Sequence, residues 1–346
     1  MSLPHISIVI VAYNEERNIA DCLDSLQRLE YPADRHEIIV VDSSSDRTPD
    51  IVRSYPNVRL VLSDRRDFSI VRNRGLREAR HDLIAYIDAD CIAPADWLLQ
   101  LVPKIDLPDV AAVGCNAYPP LDTPFLGKCF ACLGKPAGGA IGFDSEVVFL
   151  ERGVNFIGSG CSLYRKADVI AAGGFNENLP YGNEDVDLCE RLIQAGRVLE
   201  YVPDAFVYHK TRNTFRQFIP WAFRRGKAHF FATRPRLAKI LLDPFSVLWL
   251  AALLAVLFLS PQEFLPYYAL VALLGFLGVA FMLFGGGLSR FFPTGSKKFR
   301  LLVERRGRIG VNAGIILFCV LPLFYLDRFT INLAQAWYKI ASLRRS

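Results

Sequence analysis

The chain has 346 residues, of which 52% are hydrophobic, and it carries a formal net charge of +5 at neutral pH. This length exceeds that of one typical domain, and a mean hydropathy of +0.23 is high for a purely soluble protein. The eight cysteines do not form a disulfide-like framework, which indicates a reducing compartment and argues against a small disulfide-stapled secreted domain.

Short apolar runs alternate with helical patterns in the first quarter of the chain. The apolar runs, rich in β-branched residues, predict buried strands at Ile6–Ala12, Glu37–Val41, Val58–Leu62 and Leu83–Asp90. Helical spacing predicts helices at about Glu15–Leu29, with Asn14 as N-cap, at Thr48–Ser54 and at Ser69–Ala79. The alternation predicts an α/β fold, in which a mostly parallel sheet has helices on both faces. The first run lacks preceding basic residues and a cleavage site, so no signal peptide is expected.

Two aspartates, Asp88 and Asp90, end the fourth predicted strand. Residues i and i+2 of a strand point to one side, so both carboxylates are expected at the carboxyl edge of the sheet, where α/β proteins bind ligands. Adjacent carboxylates repel each other unless a cation lies between them, and oxygen ligands suit Mg²⁺ or Mn²⁺. A solvated turn explains an isolated Asp-x-Asp as well, and no G-x-G-x-x-G dinucleotide motif is present.

Two later segments carry further polar candidates. A strand-like run interrupted by glycines contains Gly160, and glycine within a strand often lets a ligand approach the backbone closely. A helical pattern then begins at Glu184 and Asp185, where the helix N-terminus stabilises carboxylates. Asp187 is expected to pair with Arg191 four residues later. Transfer of a group to a hydroxyl needs a base, so this helix start is a candidate for that role.

Taken together, these motifs resemble the family 2 glycosyltransferases with the GT-A fold. The resemblance rests on six segments, Val9–Glu16, Ile38–Thr48, Arg72–Leu76, Asp88–Asp90, Gly173–Glu177 and Asn183–Leu188. It implies an inverting, metal-dependent transfer of a sugar from a nucleotide-sugar, more often a UDP-sugar than a GDP-sugar. The chain has Val-Asp-Ser-Ser-Ser at positions 41–45, where the family usually has Val-Asp-Asp-Gly-Ser, so only Asp42 of that motif is matched.

The resemblance also implies roles for individual residues. Asp185 is the implied catalytic base, with Glu184 as the second choice. Arg72 is expected to face the nucleotide, unless it pairs with Asp67 or Asp88 instead. The implied metal ligands are Asp90, Asp88 and His209, although a single histidine is more often structural. The implied nucleotide-sugar-binding residues are Ala12, Tyr13, Glu15, Asp42, Arg72, Asp88, Ala89, Asp90 and, from its place in a glycine-rich strand, Gly160.

Basic and apolar segments follow residue 210. Residues 210–239 contain nine Lys or Arg and no acid, interleaved with aromatic residues, which favours a basic amphipathic interface segment at about 210–240 over a nucleic-acid site. Uncharged runs at about 244–262, 264–288 and 309–326 have lengths that suit membrane-spanning helices. Residues 290–308 contain seven Lys or Arg, which the positive-inside rule assigns to the cytoplasm. Whether Asp327–Ala341 returns or lies along the interface is left open.

These patterns predict a cytoplasmic catalytic domain over residues 1–235, followed by an α-helical membrane domain over 241–346 with two to three transmembrane helices. The expected location is the inner membrane, and the expected partners are a nucleotide-sugar donor, a lipid-linked or glycan acceptor and membrane lipids, without nucleic acid. Two alternatives remain, a polyprenyl-phosphate sugar synthase and a non-catalytic membrane scaffold. The Gly-Gly-Phe-Asn-Glu segment argues against the synthase, and the intact acidic motifs argue against the scaffold.

Overall fold

The structure is a computed structural model that describes residues 3–133, 152–179, 182–233 and 321–343. The chain divides into two compact units. The first consists of Met1–Pro124 and Gly134–Thr211, and the second of Phe125–Leu133 and Arg212–Ser346. All of the predicted catalytic, metal-binding and nucleotide-binding residues belong to the first unit.

A mixed, mainly parallel sheet forms the centre of the first unit. Its strands are β1 (Ile6–Ala12), β2 (His36–Asp42), β3 (Val58–Leu62), β4 (Leu83–Asp88), β5 (Cys91–Ile92), β6 (Val110–Tyr118), β7 (Cys161–Arg165) and β8 (Val198–His209). They lie in the order β3-β2-β1-β4-β7-β6-β8-β5. The strands β1 to β4 pair in parallel, as do β6 and β8. In contrast, β7 is antiparallel to β4 and β6, and β5 is antiparallel to β8. The predicted mostly parallel α/β fold is therefore confirmed, with β7 and β5 as the exceptions.

Helices cover both faces of this sheet, as the alternation of patterns predicts. The helices of the described residues are α1 (Ile19–Gln27), α2 (Thr48–Arg53), α3 (Phe68–Glu78), α4 (Trp97–Ile105), α5 (Phe125–Ala131), α6 (Lys166–Ala171), α7 (Glu184–Gln194), α8 (Phe215–Thr233) and α9 (Leu321–Leu343), of which α5, α8 and α9 belong to the second unit. Ile8 and Ile10 of β1 belong to the apolar core that contains α1, α2 and α4 residues, whereas Val9 belongs to the core with α3, α6 and α7. Because successive strand residues point to opposite faces, β1 stabilises both layers.

The start of the first helix differs from the prediction. Helix α1 begins at Ile19 rather than Glu15, and its N-cap position is Asn18. Asn14 has a left-handed φ of 57°. Its side-chain oxygen accepts a hydrogen bond from the backbone N–H of Ser45 at 2.9 Å. The predicted N-cap role of Asn14 is therefore wrong, because the side chain ties the loop after β1 to the loop after β2.

The second unit contains α5, α8 and α9 among the described residues. The ring of Phe130 in α5 stacks on Phe218 in α8, with the ring centroids 4.1 Å apart. The predicted spans at 244–262 and 264–288 lie outside the described residues, and the one at 309–326 overlaps them only at the start of α9. No helix in the part of the chain that the structure describes has the length and apolar character needed to cross a bilayer.

Candidate active site

The carboxyl ends of three parallel strands place predicted nucleotide-binding residues at one edge of the sheet. Ala12 at the end of β1 is in register with Asp42 on β2, and Val11 is in register with Asp88 on β4. Asp42 is only 1% exposed. Its Oδ1 accepts a hydrogen bond from the Ser44 hydroxyl at 2.5 Å, whereas its Oδ2 has no partner among the described residues. Burial raises the pKa of the Asp42 carboxyl, and the hydrogen bonds from Ser44 oppose this shift. A buried acceptor without a partner fits a hydrogen-bond donor on a ligand.

Next to this edge, Tyr13 offers an exposed aromatic ring. Tyr13 is 42% exposed, and Arg66 donates a hydrogen bond to its hydroxyl at 2.9 Å. The Arg66 guanidinium lies 4.9 Å from the centre of the Tyr13 ring. The carboxylate of Glu15 accepts a hydrogen bond from the side-chain amide of Asn18 at 2.6 Å, which stabilises the turn before α1. Sequence analysis missed Arg66, because only the fold brings it to Tyr13.

The three predicted metal ligands are brought together. Strand β4 ends at Asp88, and Asp90 lies in the turn that follows. The predicted same-side arrangement of one strand therefore does not apply. Instead, the antiparallel pairing of β5 with β8 places Cys91 opposite His209. As a result, the Nε2 atom of His209 lies 2.9 Å from Asp90 Oδ1 and 4.0 Å from Asp88 Oδ2.

The donor set of this cluster fits a hard divalent cation. One ligand atom each from Asp90, Cys91 and His209 lies within 4.8 Å of the others. Burial and the nearby carboxylates raise the pKa of the Cys91 thiol well above its ordinary value, and a hard cation prefers oxygen and nitrogen ligands to sulfur. Asp88 adds a second carboxylate to this group, with its Oδ2 atom 4.0 Å from His209 Nε2, and two carboxylates with an imidazole suit Mn²⁺ or Mg²⁺.

Arg72 links the metal-ligand candidates to the start of α7. Its side chain is almost fully buried and donates to the carboxylate of Glu184. It also lies 3.5 Å from Asp88 Oδ1. Of the two alternative partners that the sequence offered, Asp88 is therefore the contact found, while Asp67 is bound by Arg65. The two terminal nitrogens of the buried Arg72 guanidinium therefore contact different acidic residues, Asp88 and Glu184.

The loop before β7 lies between the two halves of the site. The backbone of Ser159 hydrogen-bonds the Asp185 carboxylate. The next residue, Gly160, is so close to Asp88 that a Cβ atom there would lie 2.5 Å from Asp88 Oδ2. The strand predicted around Gly160 starts only at Cys161, so Gly160 ends a loop. The group close to its backbone is the Asp88 carboxylate, not the ligand that the glycine pattern predicts.

Asp185 is the carboxylate with the properties of a base. Desolvation, followed by the adjacent charge of Glu184, raises the pKa of Asp185 to about 7, against the opposing effect of Arg72. A general base is most effective when its pKa lies near the working pH. Asp187, two residues further, accepts a hydrogen bond from Arg191 Nε at 2.8 Å, which confirms the predicted pair.

We expect the Gly160→Ala variant to bind a nucleoside diphosphate with Mn²⁺ about tenfold more weakly, because the added methyl forces the Asp88 carboxylate to move and such overpacking costs about 1–3 kcal/mol. Isothermal titration calorimetry with UDP and GDP measures this affinity. Gly158→Ala is the matched control, since its Cβ would meet only the Phe156 ring, at 3.7 Å. Equal affinities for the two variants would contradict the role given to the Gly160 contact.

Comparison with known proteins shows what the part of the chain that carries most of this site is similar to. Residues 7–170 match the model of the glycosyl transferase family 2. The chain is 28% identical over 238 residues to glycosyltransferase AglE of Haloferax volcanii, covering 65% of this chain and 73% of that protein. It is 30% identical over 239 residues to the probable glycosyltransferase YdaM of Bacillus subtilis, covering 64% of this chain and 55% of that protein.

Other relatives are longer than the matched region. The chain is 28% identical over 234 residues to the pre-mycofactocin glycosyltransferase of Mycobacterium tuberculosis, which spans 66% of this chain but 48% of that protein. Among solved structures, the mannosyltransferase PcManGT from Pyrobaculum calidifontis, in complex with GDP-Man and Mn²⁺, superposes with a TM-score of 0.57. It is 21% identical, covers 98% of this chain and 88% of the other, and therefore supports the fold alone.

Proposed function

We propose, from the premise that residues 7–170 form a glycosyl transferase family 2 domain, that this transferase moves a sugar from a nucleotide-sugar to a hydroxyl of a lipid-linked or glycan acceptor, with inversion at the sugar carbon. One observation carries the proposal. The metal-ligand candidates Asp88, Asp90 and His209 share a site with Asp185, joined through Arg72 and the loop at Ser159. A direct displacement needs these two functions beside each other, one for the leaving group and one for the incoming hydroxyl.

In this proposal, the carboxyl edge of the sheet binds the donor. Asp42 Oδ2, which has no partner among the described residues, accepts a hydrogen bond from the base or ribose, and Tyr13 with Arg66 borders the nucleotide. Asp88, Asp90 and His209 would hold a divalent cation, which when bound would neutralise negative charge on the departing nucleoside diphosphate. Arg72 fixes the orientation of Asp88 from the buried side.

Asp185 takes the proton from the acceptor hydroxyl. Its raised pKa makes it a competent base near neutral pH, whereas Glu184 is buried and engaged by Arg72. Attack by the deprotonated oxygen on the face opposite the leaving group gives a single displacement. A single displacement inverts the anomeric configuration of the transferred sugar.

The location of the reaction also belongs to the proposal. We place the transferase domain at the cytoplasmic face of the inner membrane, anchored by the apolar runs predicted at about 244–262, 264–288 and 309–326. Nucleotide-sugars are available in that compartment, and the basic residues at 290–308 favour the same orientation.

A panel of UDP- and GDP-sugars, with Mn²⁺ and with a chelator, tests the function. We expect one class of nucleoside diphosphate to raise the melting temperature in the presence of Mn²⁺, and the matching nucleotide-sugar to be consumed only with the metal. The UDP preference that the resemblance implies is decided by the same panel. Folded protein that neither binds nor consumes any member of the panel would contradict the proposal.

A further inference from the structure

The two oxygens of the Asp42 carboxylate have different surroundings. Oδ1 accepts a hydrogen bond from the Ser44 hydroxyl at 2.5 Å, and the Ser44 backbone N–H adds a second hydrogen bond to the carboxylate. Oδ2 is buried and has no partner among the described residues, and Asp42 as a whole is 1% exposed. A buried acceptor without a partner indicates that a ligand supplies the donor. Because Oδ1 is occupied by Ser44, the carboxylate offers this ligand one oxygen rather than two.

The orientation of the Ser44 hydroxyl is fixed by the loop after β1. The backbone N–H of Asn14 donates a hydrogen bond to Ser44 Oγ at 2.7 Å, and Asn14 Oδ1 accepts one from the Ser45 N–H at 2.9 Å. Because Oγ accepts this bond from Asn14 and a carboxylate can only accept, the hydroxyl hydrogen points at Asp42 Oδ1. The loops after β1 and β2 therefore hold the Ser44 hydroxyl on Asp42 together.

Uracil and guanine, the bases of UDP and GDP, differ in the N–H groups that they present side by side. Guanine presents its N1–H and its N2 amino group next to each other, so a carboxylate with two open oxygens binds both of them. Uracil presents one N–H, at N3, between two carbonyl oxygens. If guanine entered a site in which Oδ1 is occupied, one of its two donors would lose water without gaining an acceptor, which is costly. Uracil satisfies Oδ2 with its single N–H and leaves no donor unpaired.

We infer that Ser44 is a specificity-determining residue of the donor site, which selects uracil over guanine by occupying one oxygen of Asp42. This inference rests on the proposed function and deepens it, since it names a UDP-sugar as the class of donor. The exposed ring of Tyr13, next to the same edge of the sheet, offers a face for stacking that suits either base and so does not select between them. The choice is therefore made at Asp42, by the residue two positions further along the chain.

Calorimetric titration of the full-length protein with UDP and with GDP, each in the presence of Mn²⁺, tests this inference. We expect the wild type to bind UDP at least about tenfold more tightly than GDP. Ser44→Ala opens Oδ1 to a second donor and should shift the ratio of the two affinities toward GDP by about tenfold. Ser44→Gly, which also lacks the hydroxyl, should reproduce this shift, whereas Ser44→Thr, which keeps the hydroxyl, should keep the wild-type ratio. A merely structural role of Ser44 would weaken the binding of both nucleotides alike.

Ser45→Ala is the matched control for these variants. Ser45 is the next residue of the same loop, but its hydroxyl lies 3.3 Å from Asn14 Oδ1, so its loss should leave the ratio of the UDP and GDP affinities unchanged. Wild-type protein that binds GDP as tightly as UDP, or a ratio that Ser44→Ala does not change, would overturn the inference and leave the proposed function in place. Folded wild-type protein that binds neither nucleotide would count against the proposed function itself, and the inference would fall with it.

Discussion

Replacing Asp185 with asparagine is expected to lower the rate of sugar transfer by about 10²–10⁴-fold while leaving nucleoside diphosphate binding nearly unchanged. Asparagine keeps the size of the side chain and can still accept the Val186 N–H bond, found at 2.9 Å, so the start of α7 should keep its conformation. The amide cannot take the proton from the hydroxyl of the acceptor substrate. Steady-state kinetics with the identified donor, together with calorimetric titration of the nucleoside diphosphate, separates the two effects.

The pH dependence of the wild type provides a second signature of the same residue. Because the pKa of Asp185 is raised to about 7, kcat/KM should rise with pH up to that value and then level off. The residual activity of Asp185→Asn should not show this rise of kcat/KM with pH. The free energy of unfolding changes in the opposite direction and falls as the pH rises. The reason is that Asp185 keeps its proton to a higher pH in the native state than in the unfolded chain, where the pKa of an aspartate is about 3.9. The Asp185 contribution to the free energy of unfolding therefore decreases between about pH 4 and 7, and the variant should lose this dependence.

Asp187→Asn is the matched control for this experiment. Asp187 lies in the first turn of the same helix, but its carboxylate is bound by Arg191. We expect the control to keep its transfer rate and to lose about 0.2–0.5 kcal/mol of stability with the ion pair. Near-normal turnover by Asp185→Asn would refute the assignment of the base. If Glu184→Gln alone then abolished transfer without unfolding the chain, the role would pass to Glu184.

The elements that sequence analysis located well are those with a strong local signal. The strands that became β1, β2 and β4 contain short runs of apolar, largely β-branched residues that are buried on both faces, so their pattern is uninterrupted. Helix α7 was also located closely, because its apolar positions recur with helical spacing. For the same reason, the acidic residues at these element ends could be placed before any coordinates were known.

Other contacts lacked a local signal and could not be predicted. The pairing of β5 with β8 depends on a two-residue strand, yet it is what places His209 beside Asp90. The turn after β1 was mistaken for a helix start, because asparagine is common at N-caps and in left-handed turns alike. Arg66 meets Tyr13 only through the fold. In each case, a distant part of the chain decides the local conformation.

The Gly-Gly-Phe-Asn-Glu segment was recognised from the resemblance alone, and the structure supplies its physical reason. Gly174 has a φ of 71°, and a Cβ there would lie 2.7 Å from the Asn73 side-chain oxygen. Asn73 uses its amide to bond both the N–H and the C=O of Phe175, each at 2.8 Å. The Phe175 ring in turn lies 5.9 Å from the Arg72 guanidinium. The motif therefore joins α3 to the loop that follows α6, next to the arginine that links the two halves of the site.

Asp90→Asn is expected to weaken Mn²⁺ binding by about 100-fold or more and to abolish the metal-dependent stabilisation by nucleoside diphosphates, because loss of even an outer partner of a metal ligand costs about 10–100-fold. Asp90 Oδ1 lies 2.9 Å from His209 Nε2, so both face the same small volume. The substitution keeps the shape of the side chain and removes its negative charge. Electron paramagnetic resonance of free Mn²⁺ measures the affinity directly, and thermal shifts with UDP and GDP report the coupled nucleotide binding.

Asp96→Asn separates loss of the ligand from a general loss of negative charge. Asp96 lies a few residues further along, at the start of α4, where its carboxylate accepts a hydrogen bond from Gln100 at 2.5 Å. We expect this control to bind Mn²⁺ as the wild type does. If Asp90→Asn also keeps wild-type affinity, the cation is held elsewhere and the cluster of Asp88, Asp90 and His209 is a hydrogen-bonded structural group. If the affinity falls as expected, the contact between the turn after β4 and the end of β8 is the feature that makes this edge of the sheet a site for a diphosphate.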